Sequence, residues 1–209
     1  MTFLFDIGRV LLDFDFERSL ARLLPPDATD PRARLELLLD QRDEFEAGAI
    51  ETDTYIAWAL GVLGSGATAE DFRHAWRHVF TPIEPMWQEV RMLAAAGHRL
   101  ILFSNTNAIH CPWIFEVFAD FALFQAAVLS YQVGGVKPEP AIYQYAIATH
   151  QLDPATTLYI DDLPANIATG RSHGFRCFQY DQANHGAFQQ WLRGELERGL
   201  EAGHGEMKL

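Results

Sequence analysis

The chain begins with a short apolar run that ends in an acid, and this feature constrains the fold more than any other. Thr2 to Phe5 is too short for a buried helix and is rich in β-forming residues, so it predicts a strand covered on both faces. Asp6 then lies at the carboxyl end of the strand, and Gly8 follows where the backbone can turn sharply or approach a ligand. Ligands bind at this end of open α/β sheets, although a lone aspartate here can also serve as a turn or cap residue.

Strands and helices alternate in the second part of the chain. A helix is predicted from Met86 to Ala96, and further strands are predicted over 99–103, 124–129, 157–160 and 175–178, with helices between them. This alternation predicts an α/β fold with a Rossmann-like, doubly wound parallel sheet. We expect a core domain made of residues 1–15 and 84–209.

The stretch between these parts has a helical pattern. Amphipathic spacing over 16–24, 31–45, 51–63 and 68–80 predicts about four helices with no strand between them. We therefore expect residues 16–83 to be an inserted all-helical cap domain that lies over the strand ends.

Charge and composition exclude several classes of partner. The 209 residues carry a formal charge of −12, which argues against nucleic acid and anionic membranes. We find no signal peptide and no window of the roughly 18 apolar residues that a membrane helix needs. The two cysteines, Cys111 and Cys177, form neither a disulfide framework nor a zinc motif. We expect a cytoplasmic protein, and the oligomeric state stays open.

Polar clusters follow the predicted strands, at the edge where strand ends converge. They are Asp6, Ser104-Asn105, Lys137 and Asp161-Asp162. Each cluster alone could be a helix cap or a solvated side chain. Together they supply one chemistry, because carboxylates from two strands can share Mg²⁺, a hydroxyl and an amide suit phosphoryl oxygens, and a lysine stabilises developing negative charge.

The lysine content supports a specific role for Lys137. The chain has fourteen arginines but only two lysines, Lys137 and Lys208. A sequence that uses arginine for its surface charge has kept a lysine at this position. A compact ammonium group at a binding site is one explanation of that choice, and a solvated surface lysine is the other.

With these residues in view, the chain resembles the haloacid dehalogenase-like superfamily of phosphotransferases. The matching motifs, in the expected order, are Phe5-Asp-Ile-Gly-Arg-Val10, Phe103-Ser-Asn-Thr106, Val136-Lys-Pro138 and Ile160-Asp-Asp-Leu-Pro-Ala-Asn166. Asp13-Phe-Asp15, Ser104-Asn-Thr-Asn107 and His110 are similar, more narrowly, to the branch that contains bacterial α-D-glucose-1-phosphate phosphatase.

The resemblance implies a role for each position. Asp6 would be the nucleophile that forms an aspartyl-phosphate, and Lys137 would stabilise charge on the nucleophile and bind phosphate. Phosphoryl oxygens would also be bound by Ser104 and Asn105. Mg²⁺ would be held by Asp6, the backbone carbonyl of Gly8 and Asp161, with Asp162 acting through water.

One position departs from the common pattern of the superfamily. Most of its phosphatases carry a second aspartate two residues after the nucleophile, as general acid and base, whereas this chain has Gly8. The narrower branch shares this glycine, so the substitution does not by itself mean inactivity, but it leaves the proton carrier unassigned. Asp13 is a candidate if the turn brings it back to the crevice, and a structural role in the loop is the alternative. Substrate contacts near the cap are expected from Glu46, Trp76, Asn107 and His110, although core packing is the alternative for the aromatic side chains.

These observations predict a Mg²⁺-dependent phosphatase. Its substrate would be a small phosphorylated metabolite, such as a hexose 1-phosphate. One alternative is a metal-independent 2-haloacid dehalogenase that uses the same nucleophile on carbon. The other is a non-hydrolytic regulatory or binding protein on the same scaffold, because a fold does not fix a function.

Overall fold

The fold is an α/β structure built on a five-stranded parallel sheet. A computed structural model describes residues 1–38 and 40–205, so Lys208 lies outside the described residues. The strand order is β5-β4-β1-β6-β7. These strands are β1 (Thr2–Phe5), β4 (Arg99–Ser104), β5 (Ala126–Leu129), β6 (Thr157–Asp161) and β7 (Arg176–Gln179). The predicted Rossmann-like fold class is confirmed, and each strand of this sheet lies within two residues of its predicted bounds.

Helices cover both faces of the sheet and fill the stretch after the first strand. That stretch holds α1 (Phe16–Leu20), α2 (Pro31–Leu37), α3 (Arg42–Glu46), α4 (Thr52–Leu63) and α5 (Ala69–Arg77). The later helices are α6 (Glu84–Ala95), α7 (His110–Val117), α8 (Ser130–Val133), α9 (Pro140–His150), α10 (Pro164–Ser172) and α11 (His185–Gly205). The single helix predicted over 31–45 is two helices, and the helix predicted to reach Phe80 ends at Arg77.

A small antiparallel ribbon corrects the expectation that 16–83 contains no strand. β2 (Leu12–Phe14) pairs with β3 (Phe80–Pro82), and the amide of Asp15 donates to the carbonyl of Val79 at 3.1 Å. Each strand has three residues and β3 contains a proline, so neither gives the alternating pattern that predicts a strand. The ribbon brings the two ends of residues 16–79, which we call the helical insertion, to the same point of the fold.

Three apolar clusters hold these layers together. Phe3 and Phe5 of β1 point to the cluster on one face of the sheet, and Leu4 points to the cluster on the other face. The helical insertion has a third cluster, in which the rings of Phe45 and Tyr55 stack with centroids 4.1 Å apart. Each side of the sheet and the insertion therefore buries its own apolar surface.

Neither cysteine forms a disulfide. Cys111 is buried on α7 and Cys177 is partly buried in β7, and both thiols are free. Across the described ranges, no helix combines the length and the apolar character that crossing a membrane requires.

Gly170 permits the close approach of α10 to the sheet, and its replacement tests that packing. A Cβ atom at this position would lie 2.6 Å from Cδ1 of Tyr159 and 2.9 Å from Sγ of Cys177. Gly170→Ala should lower the free energy of unfolding by about 1–3 kcal/mol, because overpacking outweighs the better helix propensity of alanine. Urea unfolding measures this change.

The matched control is Gly61→Ala in α4. Apart from its chain neighbours and the backbone of α4 itself, no atom lies within 4 Å of a Cβ placed there, so this change should raise the free energy of unfolding by up to about 1 kcal/mol. Equal stabilisation by both substitutions would contradict the packing argument.

Candidate active site

Asp6 stands at the carboxyl end of the central strand and is held by the backbone. Its amide donates to the carbonyl of Ile160 at 3.0 Å, which extends the pairing of β1 with β6 by one residue. The chain then turns tightly, because the amides of Leu11 and Leu12 donate to the carbonyl of Ile7 at 2.9 and 2.8 Å. The Asp6 side chain is 11% exposed. Its carboxylate is therefore fixed at the sheet edge with one side open to solvent.

Lys137 is the centre of a buried polar network. Its ammonium group donates to Oδ1 of Asp6 at 3.0 Å, to Oδ2 of Asp161 at 2.6 Å and to the carbonyl of Phe103 at 2.7 Å. The side chain is 1% exposed. Three acceptors thus satisfy the three N–H donors of the ammonium group, and one charge joins the ends of β1, β4 and β6.

The side chain of Asn105 fixes the segment that carries this lysine. Its Nδ2 donates to the carbonyl of Lys137 at 2.8 Å, and the amide of Lys137 donates to its Oδ1 at 2.7 Å. Sequence analysis predicted Asn105 as a phosphate ligand, but the structure commits both ends of its side-chain amide to the lysine backbone. The second hydrogen of Nδ2 and the backbone N–H of Asn105 remain for a phosphoryl oxygen.

The adjacent aspartates Asp161 and Asp162 have different surroundings. Asp161 is fully buried, and Oδ1 accepts from the amide of Leu163 at 2.9 Å and from Nδ2 of Asn166 at 3.0 Å. Its Oδ2 accepts from the hydroxyl of Tyr159 at 2.6 Å as well as from Lys137. Protein donors therefore occupy both oxygens of Asp161.

Asp162 keeps free acceptor positions. Within the described part of the chain, the donor that bears on its carboxylate is its own backbone N–H. Burial and the charge of Asp161 raise the pKa of Asp162 to about 6. Oxygen atoms of Asp6, Asp161 and Asp162 lie within 4.8 Å of one another. This close approach of three carboxylates favours the binding of a cation between them.

The charges of the site also act on the nucleophile candidate. The pKa of Asp6 is raised to about 7. Burial is the largest cause and the charge of Asp161 adds to it, whereas Lys137 and the Ser104 hydroxyl lower the pKa. Burial alone would lower the pKa of Lys137, but the carboxylates of Asp161 and Asp6 raise it above its ordinary value. The lysine stays charged, whereas Asp6 needs additional positive charge to ionise fully at neutral pH.

These groups line a cleft of about 280 Å³ between the sheet edge and the helical insertion. Its sheet side includes the predicted residues Asp6, Gly8, Ser104, Asn105, Lys137 and Asp162. The helical insertion contributes Arg42 and Glu46 of α3 to the lining, and His110 at the start of α7 also lines the cleft. The four polar clusters predicted from the sequence thus meet at one place.

His110 lines the cleft, but both of its ring nitrogens have partners. Nε2 lies 3.0 Å from the carbonyl of Trp76, so it carries the proton, and Nδ1 accepts from the side-chain amide of Asn107 at 3.1 Å. Burial lowers the pKa of His110 to about 3. The imidazole is therefore neutral and structural in this arrangement.

The other predicted substrate contacts divide into two groups. Glu46 lines the cleft, whereas Trp76 is 1% exposed and lies in the apolar cluster of the insertion. Asn107 is fully buried, and its Oδ1 accepts from the amides of Ile109 and His110 at 3.1 Å each. Trp76 and Asn107 thus lie in the packing behind the cleft wall.

Sequence reasoning missed two contributors to the site. Tyr159 donates to Asp161, and period-two spacing along β6 could have placed these two side chains on the same face. Arg42 lines the cleft four residues before Glu46, at 3.9 Å from its carboxylate. That spacing puts both side chains on one face of α3.

A curated relative spans most of the chain. It is a D-ribitol-5-phosphate phosphatase from Bacteroides thetaiotaomicron, 26% identical over 185 residues, which are 84% of this chain and 89% of the relative.

Two solved structures show the same fold at lower identity. A haloacid dehalogenase family enzyme from B. thetaiotaomicron, in complex with magnesium and inorganic phosphate, has a TM-score of 0.73 at 21% identity, covering 87% of this chain and 94% of that chain. L-2-haloacid dehalogenase from Xanthobacter autotrophicus, with chloropropionic acid covalently bound, has a TM-score of 0.62 at 16% identity, covering 84% and 75%.

The match that shows the family covers most of the chain. The model of haloacid dehalogenase-like hydrolases matches residues 1–174, which include the whole helical insertion and the four polar clusters of the cleft. The protein therefore belongs to the haloacid dehalogenase-like hydrolases.

Proposed function

We propose that the protein is a Mg²⁺-dependent phosphatase that hydrolyses a small phosphate ester through an aspartyl-phosphate on Asp6. The observation that carries this proposal is the placement of Asp6, Lys137 and Asp162 on one wall of a single cleft. The phosphatase relative and the magnesium and phosphate held by a similar structure support it.

The oxygen donors around Asp6 fit Mg²⁺, which prefers carboxylate and carbonyl oxygens. We assign the carboxylates of Asp6 and Asp162 and the carbonyl of Gly8 as its ligands. Protein donors fill both oxygens of Asp161, so we assign this residue to holding Lys137. The sequence-based expectation had Asp161 as the direct ligand and Asp162 acting through water, and the proposed roles are the reverse. When bound, Mg²⁺ supplies positive charge that neutralises phosphoryl oxygens and favours ionised Asp6.

The side chains of the cleft perform the remaining work. An Asp6 oxygen attacks phosphorus, and Lys137 stabilises the charge on the transferring group. The hydroxyl of Ser104 donates to the carbonyl of Asn105 at 3.2 Å and bears on Asp6, and it would turn to donate to a phosphoryl oxygen when substrate binds. Residues 16–83 act as a cap that encloses the leaving group, because α3 already forms the wall opposite Asp6.

The proposed substrate class is phosphorylated sugars and sugar alcohols. A cleft of about 280 Å³ with Arg9, Arg42 and Glu46 at its wall suits a small polar leaving group. A hexose 1-phosphate belongs to this class, as does the pentitol phosphate named for the curated relative.

Replacement of Asp6 tests the reaction. Asp6→Asn should lower kcat at least about 10³-fold on every ester that the wild type hydrolyses, because the amide is a poor nucleophile. Phosphate release from a panel of sugar phosphates and sugar-alcohol phosphates measures the loss.

Asp13→Asn is the matched control for that variant. Asp13 lies outside the cleft lining and pairs with Arg9, so turnover should stay near the wild-type level. Wild-type turnover by Asp6→Asn, with an unchanged unfolding midpoint, would rule out the proposed nucleophile.

The two adjacent aspartates can be distinguished by metal binding. Asp162→Asn should raise the Mg²⁺ concentration for half-maximal activity by at least about tenfold and abolish the Mg²⁺-induced rise in Tm, because a direct ligand is lost. Asp161→Asn should instead lower the free energy of unfolding without metal by about 3–5 kcal/mol, because it removes one partner of a buried lysine. A normal Mg²⁺ response in Asp162→Asn would restore the sequence-based assignment.

The dehalogenase alternative has its own test, since Gly8 and one structural neighbour keep it in view. Incubation with 2-chloropropionate in EDTA should release no chloride. Burial and the charge of Asp161 raise the pKa of Asp6 although Lys137 lowers it, so full ionisation of this carboxyl group needs a further cation. Chloride release without metal would replace the phosphatase proposal.

A further inference from the structure

The proposed reaction lacks an assigned group to carry the leaving-group proton. Gly8 stands where the second aspartate of the common pattern would be, and Asp13 is paired with Arg9 and is not among the residues that line the cleft. We propose that Glu46 of α3 is this group, acting as general acid to the leaving oxygen and then as general base to water. The inference rests on the proposed phosphatase function and adds a catalytic residue to it.

Elimination within the cleft leads to Glu46. Three carboxyl groups line the cleft in the described part of the chain: Asp6, Glu46 and Asp162. Asp6 is the nucleophile and Asp162 is assigned to the cation. His110 is neutral, with both ring nitrogens hydrogen-bonded, so it cannot cycle a proton without losing those contacts. Glu46 remains as a carboxyl group without another task.

The fold holds Glu46 opposite the nucleophile. Phe45 turns into the core of the insertion and stacks on Tyr55, so the next side chain, Glu46, faces the cleft. Gly48 follows with φ of +71°, and a Cβ atom there would overlap the backbone carbonyl of Tyr131. The chain just after α3 therefore packs closely against α8, which follows β5 of the sheet. A leaving group bound between the two walls would therefore meet Glu46.

The surroundings suit a carboxyl group that exchanges a proton near neutrality. Its side chain is 15% exposed. The pKa of Glu46 is raised to about 7. Burial is the largest cause and the charges of Asp43 and Asp6 add to it, whereas Arg42 lowers the pKa. The charged and titratable groups around it are Arg42, Asp43, Asp6, Lys137, Tyr55 and Cys111. Both protonation states of Glu46 are accessible, as a group that alternates between acid and base requires.

The proton balance of the two steps is complete. In the first, a new bond forms between Asp6 and phosphorus, the bond from phosphorus to the ester oxygen breaks, and that oxygen takes the electron pair and the proton of Glu46. In the second, the Glu46 carboxylate takes a proton from water while the water oxygen bonds to phosphorus. The bond between phosphorus and Asp6 then breaks, which restores both side chains and releases inorganic phosphate.

The test compares two leaving groups in Glu46→Gln and wild-type protein with Mg²⁺. For ribitol 5-phosphate, whose alkoxide needs a proton, kcat/KM should fall about 10²–10⁴-fold. For p-nitrophenyl phosphate, whose phenolate leaves unprotonated, kcat/KM should fall less than about tenfold. The variant should also show a burst of one nitrophenolate per protein followed by slow turnover, because the base for the second step is missing.

Glu44→Gln is the matched control, since Glu44 is an exposed acid on the same helix. It should leave both substrates near wild-type rates. Equal losses on the two substrates in Glu46→Gln would indicate a structural role and overturn the proposal, as would unchanged rates.

A series of phosphate esters whose leaving groups differ in basicity tests the same proposal on the wild-type protein. Its kcat/KM should depend only weakly on leaving-group basicity, and a steep dependence would also overturn the proposal. Failure of the wild type to hydrolyse any phosphate ester would instead contradict the proposed function itself.

Discussion

The structure of the site depends on one buried ammonium group held between two carboxylates. Lys137 is withdrawn from water, and this desolvation is offset because Asp6, Asp161 and the carbonyl of Phe103 satisfy each of its donors. Those acceptors come from the ends of three neighbouring strands, and Asn105 fixes the backbone of the lysine. The network can form only when the strands are in register. The same interaction therefore joins the sheet and positions Asp6, the proposed nucleophile.

The arrangement of the sheet explains why a helical insertion can reach this network. β1 lies at the centre of the strand order, so the turn after Asp6 opens onto the middle of the sheet edge. The β2–β3 ribbon returns the chain to that turn after the insertion. The insertion is therefore tethered beside the nucleophile at both ends, and the contact of Gly48 with Tyr131 adds a third attachment close to Glu46.

Much of the fold could be predicted because the sheet strands are continuous apolar runs that end in polar residues. Asp6 and Lys137 could be identified from position and composition. Other features depend on contacts between distant residues, which local patterns do not encode. Neither the ribbon nor the pairing of Asn105 with the lysine backbone has a local signature. The different surroundings of Asp161 and Asp162 arise from Tyr159 and Asn166, whose orientation only the folded structure sets.

The position of Glu46 also gives a physical reason for glycine at position 8. An acid on the turn beside the nucleophile would carry the proton whether or not the insertion covered the cleft. An acid on α3 can act only while the insertion lies against the sheet edge, because it belongs to the opposite wall. In the proposed mechanism, proton transfer therefore needs both the sheet edge and the helical insertion. The proposed division of nucleophile and acid between two parts of the chain makes the packing of α3 against the sheet domain a requirement for activity.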